Sequence, residues 1–205
     1  MNGLAVIDYG VGNIQSVINA CSRLGAEPKR VTSGPELIES SFEAIILPGV
    51  GAIGEAIKRI REAKLDEALT ETVVHQGTKF LGICVGMQII AENCEEFGYH
   101  KGLGWIHGNT KPIDVKESNL PLPHVGWNNI EPEGLGWMPQ VLEKKHFYFC
   151  HSCSLECDQG LIRGTSDYGK KIVVAIQKEN IYGIQCHPEK SSDAGELFLK
   201  EFLKA

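Results

Sequence analysis

The chain has 205 residues, 42% of them hydrophobic and 22% charged, with a formal net charge of −6. That size suits one domain with a single sheet covered by helices. The acidic balance, without any basic run, excludes a nucleic-acid footprint and implies no nucleic-acid partner. The N-terminal apolar stretch Leu4–Ile7 is too short for a signal sequence or a membrane span, so a soluble, cytoplasmic protein without membrane contact is expected.

In chain order, Leu4–Ile7, Lys29–Val31 and Ala44–Leu47 read as short strands. Between them, Ile14, Val17, Ile18, Cys21 and Leu24 form a helical stripe closed by Gly25. Ser33, Pro35 and Glu36 suit a capping-box start to a short second helix. Ile53, Ala56, Ile57 and Ile60 mark a third helix, and Leu65, Leu69 and Val73 continue helically to a stop at Gly77. Alternating strands and helices predict a parallel sheet with right-handed crossovers. Lys79–Ile83 reads as a further buried strand, and the apolar spacing from Val85 to Asn93 as the helix after it. Beyond about residue 95, glycines, prolines and alternating stretches predict an antiparallel insertion. A hairpin turning at Glu179-Asn180 then leads into His187, and a helix from about Ser192 to Lys204 closes the chain.

Cys84 falls at the strand-to-helix turn, in Gly82-Ile83-Cys84-Val85-Gly86. A bend this sharp leaves no room for side chains two residues either side of the nucleophile, which the two glycines satisfy. The N–H groups of the following helix favour a thiolate there. A thiol nucleophile needs a base, and the base needs a group to orient it. His187-Pro188-Glu189 supplies both, because an extended His-Pro segment sets residues two apart on one side. The order nucleophile, histidine, acid differs from that of the α/β-hydrolases.

Two other chemistries are weighed and set aside. Cys150-His151-Ser152-Cys153 with Cys157 suggests a metal, but Phe147–Glu156 reads as one strand, which turns Cys150 and Cys153 to opposite faces. No metal is assigned. Gly10-x-Gly12 suggests a dinucleotide loop, but position 15, where the third glycine belongs, holds Gln15. No cofactor is expected. Seven cysteines without a secretion signal do not make a disulfide framework.

The chain resembles the class I glutamine amidotransferases. The residues that carry this are Asp8-Tyr9-Gly10-Val11-Gly12-Asn13, Pro48-Gly49-Val50-Gly51, Cys84-Val85-Gly86-Met87-Gln88, His124-Val125-Gly126-Trp127-Asn128 and His187-Pro188-Glu189-Lys190-Ser191. Within that family it is most similar to the glutaminase subunits of imidazole glycerol phosphate synthases, from residue 4 nearly to the C-terminus. The resemblance implies a flavodoxin-like, mostly parallel α/β sheet with an antiparallel insertion in the C-terminal half, as one domain over residues 1–205. It also implies a Cys84–His187–Glu189 triad that hydrolyses glutamine to glutamate and ammonia. The oxyanion donors would be the N–H groups of Val85 and of Val50, the latter after a peptide flip. Gly51, Gln88, Ser152 and Cys153 match positions that hold glutamine. The implied partner is a (β/α)₈-barrel cyclase subunit, forming a heterodimer and receiving ammonia for histidine biosynthesis, with His124, Trp127, Asn128 and Lys190 at or near the interface. Val85 departs from the family's leucine, Cys150 and Cys153 from valine and an aromatic, and Cys186 from phenylalanine. These departures leave room for a paralogue feeding ammonia to a barrel that amidates a surface-sugar precursor. The alternative of a different class is a non-catalytic binding module that keeps a dead triad.

Overall fold

A computed structural model describes residues 3–205. The first half alternates as expected: β1 (Leu4–Ile7), α1 (Ile14–Arg23), β2 (Pro28–Val31), α2 (Gly34–Glu39), β3 (Ala44–Gly49), α3 (Ile53–Glu62) and α4 (Leu65–Leu69). A π-helical stretch, Thr70–His75, continues α4. There the hydroxyls of Thr70 and Thr72 bond back to the carbonyls of Asp66 and Ala68, which loosens the regular ladder. Ser33 caps α2 through the Glu36 N–H at 3.5 Å, while the Glu36 carboxylate accepts from the Thr32 N–H instead of closing the reciprocal bond.

Next come β4 (Lys79–Cys84) and α5 (Val85–Gln88). The helix expected to run to Asn93 is a single turn, and β5 (Ala91–Glu95) follows it. Every residue from Gly86 to Ala91 is buried, so apolar spacing could not separate a helix face from an interior strand there. The insertion holds β6 (Tyr99–Lys101), β7 (Ile106–Pro112), β8 (His124–Asn129), β9 (Glu131–Pro132) and α6 (Trp137–Leu142). It continues with β10 (His146–His151), β11 (Cys153–Cys157), β12 (Ile162–Asp167), β13 (Lys171–Lys178) and β14 (Ile181–Ile184), before α7 (Ser192–Lys204). The expected single strand from Phe147 to Glu156 is therefore two strands, parted at Ser152. The chain changes sheets there: β10 pairs with β8 in a small sheet, and β11 pairs with β7 and β13 in the large one.

The large sheet runs β2-β1-β3-β4-β14-β13-β11-β7-β5-β6. Its first five strands are mutually parallel, and β13 to β14 is the hairpin expected at Glu179-Asn180. The inner parallel strands β1, β3, β4 and β14 are apolar almost throughout, as strands covered on both faces must be, whereas the edge strand β2 exposes Lys29 and Arg30. Helices α1, α6 and α7 pack as one group, and α2, α3 and α4 as another, on opposite faces as right-handed crossovers require. Register decides where chemistry can gather. Gly49 of β3 lies opposite Cys84 of β4, and Ile184 of β14 lies opposite Ile83. The carboxyl ends of three adjacent strands thus open onto one rim, the usual place for a site in an open α/β sheet.

Candidate active site

Cys84 ends β4 with φ 55° and ψ −110°, a positive φ that a non-glycine residue holds only under constraint. The constraint is packing. A Cβ on Gly82 would come 2.5 Å from the Gly86 carbonyl oxygen, and one on Gly86 would strike the Leu47 carbonyl oxygen of β3. Both glycines expected at the elbow are thus required by their neighbours. The short α5 offers the sulfur one turn of free N–H groups rather than a long helix dipole. Cys84 is 3% exposed. Its sulfur lies 3.8 Å from the Cys150 carbonyl oxygen and receives the Gln185 side-chain amide at 3.6 Å.

His187 follows β14 and is buried, with its own N–H donating to the Tyr148 carbonyl at 2.9 Å. Its Nδ1 lies 2.9 Å from Glu189 Oε1. A carboxylate can only accept, so Nδ1 carries the hydrogen and Nε2 is left free. Nε2 is buried without a hydrogen-bond partner. Pairing with Glu189 arises differently from the extended geometry expected, because Pro188–Lys190 forms a 3₁₀ turn. Glu189 reaches back over that turn, and the Ser191 hydroxyl locks it by donating to the His187 carbonyl at 2.6 Å. Burial works against a charge on His187, yet interaction with Cys84 and Glu189 outweighs it and raises the imidazole to about 10. The sign follows: this interaction stabilises the fold fully below the ordinary value of 6.5 and is lost as pH climbs through about 10. Replacing Cys84 by alanine removes the strongest raising influence. The His187 imidazole is then expected to titrate more than about one unit lower by NMR, and an unchanged midpoint would mean that Glu189 alone sets it.

Burial sets most of the other thiols apart. It pushes Cys153 up to about 12 with help from nearby Glu96, Cys21 to about 12, and Cys94 and Cys157 to about 11. Cys186 is also raised well above the usual thiol range, chiefly by burial. All seven cysteines are free, and Cys150 is exposed. Among the described residues, no group of three or more His, Cys, Asp or Glu side chains gathers as metal ligands.

The remaining expected site residues divide into two groups. Val85 opens α5, and a Cβ on Gly49 would lie 2.7 Å from the Val85 Cβ and 2.6 Å from the Tyr9 hydroxyl. Gly49, the last residue of β3, therefore packs tightly beside the elbow, and the chain leaves it through half-buried Val50 and exposed Gly51 at φ 84°. Gln88 is buried and donates to the Cys153 carbonyl at 2.9 Å, with Ser152 half-buried beside it. Trp127 is 54% exposed rather than a core residue, and exposed Lys190 holds its Nζ 5.7 Å from the Tyr148 ring centre. His124 differs from them. It is 3% exposed, stacked between Phe149 and Tyr168, and so cannot itself meet a partner in this conformation. The inward face of β8 forces this, since His124 and Asn128 alternate with the outward Val125 and Trp127.

Three residues near the nucleophile were not read from the sequence as part of the site. Gln185 is wholly buried and bridges Cys84 to Gln88. Its signal was available: it shares the strand face of His187, two residues on, in an otherwise apolar run. Tyr9 has a buried, unpartnered hydroxyl against Gly49, and His151 is buried near His187. The sequence showed Tyr9 only within a family motif and His151 only in the metal reading, and neither signal points to Cys84.

The sheet order and the cysteine elbow facing a His–Glu pair define a class, and the sequence matches it. The model of the family "Glutamine amidotransferase class-I" matches residues 5–205, and the chain belongs to that family. It is 39% identical over 202 residues to the imidazole glycerol phosphate synthase subunit HisH of Herpetosiphon aurantiacus, covering 98% of this chain and 93% of that one. Identity to the subunit of the same name from Bacillus subtilis is 38% over 205 residues, covering 98% and 95%. Among solved structures, a glutamine amidotransferase superposes with TM-score 0.75 at 20% identity, covering 98% of both chains. Structures this distant share the fold alone. Among the described residues no helix is long and apolar enough to cross a membrane.

Proposed function

We propose that this chain is the glutaminase subunit of an imidazole glycerol phosphate synthase, acting in histidine biosynthesis as one cytoplasmic domain over residues 1–205. The observation that carries this is the strained Cys84 elbow, interacting with a His187 whose Nδ1 is committed to Glu189. Cys84 attacks the side-chain amide carbon of glutamine, and His187 hands the proton to the departing nitrogen, releasing ammonia. Water activated by His187 then cleaves the γ-glutamyl thioester to glutamate. Glu189 keeps the imidazole in its Nδ1–H tautomer and supports its charged form. The N–H groups of Val85 and Val50 stabilise the oxyanion. Gly51, Gln88, Ser152 and Cys153 hold the substrate.

Ammonia set free in water becomes ammonium, so the acceptor site must be close and sheltered. A (β/α)₈-barrel cyclase subunit is the partner proposed, in a heterodimer. The outward face of the β8–β10 sheet supports this, because exposed Val125 and Trp127 lie beside Lys190 and within reach of the rim that bears Cys84. Trp127 and Lys190 contribute to that interface, with half-buried Asn128 at its edge beside Trp127. Lys190 comes off the turn of Glu189 and lies over Tyr148, so it acts at the interface rather than in the chemistry.

With Cys84 only 3% exposed, glutamine needs an opening of the site before it can reach the sulfur. The isolated chain is therefore expected to hydrolyse glutamine poorly. The barrel subunit with its acceptor bound should raise turnover by about 10²–10³, the value of one oxyanion donor brought into place. Glutamate release is measured for the chain alone, with the barrel, and with barrel and acceptor. Full turnover by the chain alone would end the gating idea. Product analysis of the complex tests the assignment itself: imidazole glycerol phosphate supports it, and an amidated sugar would replace it with the paralogue.

A further inference from the structure

His124 and His151 lie directly opposite one another on β8 and β10, both buried. Their hydrogen bonds leave one choice of tautomer. His151 Nδ1 is 2.8 Å from the Cys153 carbonyl oxygen, which can only accept, so Nδ1 carries the hydrogen. His151 Nε2 is then a lone pair, and His124 Nδ1, 3.0 Å away, must donate to it. That leaves His124 Nε2 as an acceptor, faced by the Asn128 side-chain amide at 3.4 Å. The Asn128 amide cannot be reversed. Its nitrogen donates to the Asp167 carbonyl at 2.9 Å, and its oxygen accepts the Asn129 N–H at 2.9 Å.

The series continues inward. The Cys153 carbonyl also accepts from Gln88 Nε2 at 2.9 Å, which is shared with Gln185 Oε1 at 3.0 Å. Gln185 Nε2 in turn donates to the Cys84 sulfur at 3.6 Å. An unbroken set of hydrogen bonds thus joins Asn128, beside the outward Trp127, to the nucleophile. Burial lowers both histidines, His151 to about 4, where nearby His124 and His187 add to the effect against the Cys153 carbonyl. A neutral His151 leaves the positive charge to His187. The His124 ring is also held in place, 4.9 Å from Phe149 and 4.0 Å from Tyr168 between ring centres.

We propose that His124 and His151 are positioning residues. As a neutral pair of fixed tautomers, they hold the Cys153 carbonyl and Gln88 against Cys84, and pass displacements of Asn128 to the glutamine clamp. The proposal rests on the glutaminase reading for its readout but not for its geometry. A carbonyl with two committed donors is held in two directions; with one it can swing, and Gln88 with it.

His124→Phe keeps the stack and the volume and removes both ring bonds. In the complex with the barrel subunit, it is expected to raise the glutamine KM about 10-fold, the worth of one buried hydrogen bond. The kcat and ammonia-dependent synthesis should be little changed. His151→Asn, whose amide can still donate to the Cys153 carbonyl, should recover part of the affinity that His151→Leu loses. Asn128→Ala and His124→Phe should be less than additive in KM if they act through one network. Imidazole ¹⁵N spectra of the wild-type chain should show both rings as neutral Nδ1–H tautomers, with His151 untitrated above about pH 5 and His124 titrating below the ordinary imidazole range. Nε2–H tautomers, or titration near neutrality, would overturn the proposal whatever the activity. So would an unchanged KM in His124→Phe with a wild-type complex that hydrolyses glutamine. A loss of ammonia-dependent turnover together with an early unfolding transition would also overturn it, because the pair would then be structural only. A wild-type complex that does not hydrolyse glutamine would instead refute the glutaminase reading, and the spectra would still decide the relay.

Discussion

Cys84→Ala is expected to lower glutamine-dependent synthesis at least about 10⁴-fold, the scale on which removal of a covalent nucleophile acts. Synthesis from added ammonium should continue at the wild-type rate, because the sulfur serves only to release ammonia. The elbow geometry makes the effect specific. Cys84 is held at φ 55° by glycines that cannot be replaced, facing a histidine with a free Nε2, and no second thiol shares that arrangement. Burial raises Cys21, Cys94, Cys153, Cys157 and Cys186 out of the reactive range. A glutamine-like diazo-ketone should therefore label Cys84, whereas a small unselective alkylator should also reach the exposed Cys150. Mass mapping separates the two. Label from the glutamine analogue found mainly on Cys150, or a complex that ammonium cannot drive, would defeat the division of labour between the chains.

Gly86→Ala is expected to cost about 3–5 kcal/mol of stability or to force the elbow into another shape. The added methyl group meets the Leu47 carbonyl, the backbone of a central strand that has no slack. Gly51→Ala is the contrasting case. Its φ of 84° disfavours a side chain, but nothing lies within 4 Å of the added carbon, so about 1–2 kcal/mol is expected. Urea unfolding of the two variants should show the larger midpoint shift for Gly86. If both shifts were within about 1 kcal/mol, the elbow would be softer than its packing implies.

Much of this protein was determined by local chemistry. Leu4–Ile7, Ala44–Leu47 and Lys79–Ile83 are apolar runs that no other role in a chain of this size accommodates, and they became the centre of the parallel sheet. The glycine spacing around Cys84 and the Glu179-Asn180 turn are backbone requirements written into single residues, so both were readable. Tertiary structure decided the rest, because those outcomes depend on what lies across the gap rather than along the chain. The helix after Cys84 stops after one turn since Ile89, Ile90 and Ala91 are drawn into backbone pairing with Leu103, Gly104, Trp105 and Ile106. The chain switches sheets at Ser152 because β7 and β8 accept different halves of one β-prone segment. Glu189 reaches His187 over a 3₁₀ turn, and His124 faces inward to His151 rather than outward. Hydrogen bonds between residues as far as 101 positions apart leave no periodic trace in a sequence, so only the folded chain could join Asn128, the histidine pair and Gln185 to the nucleophile.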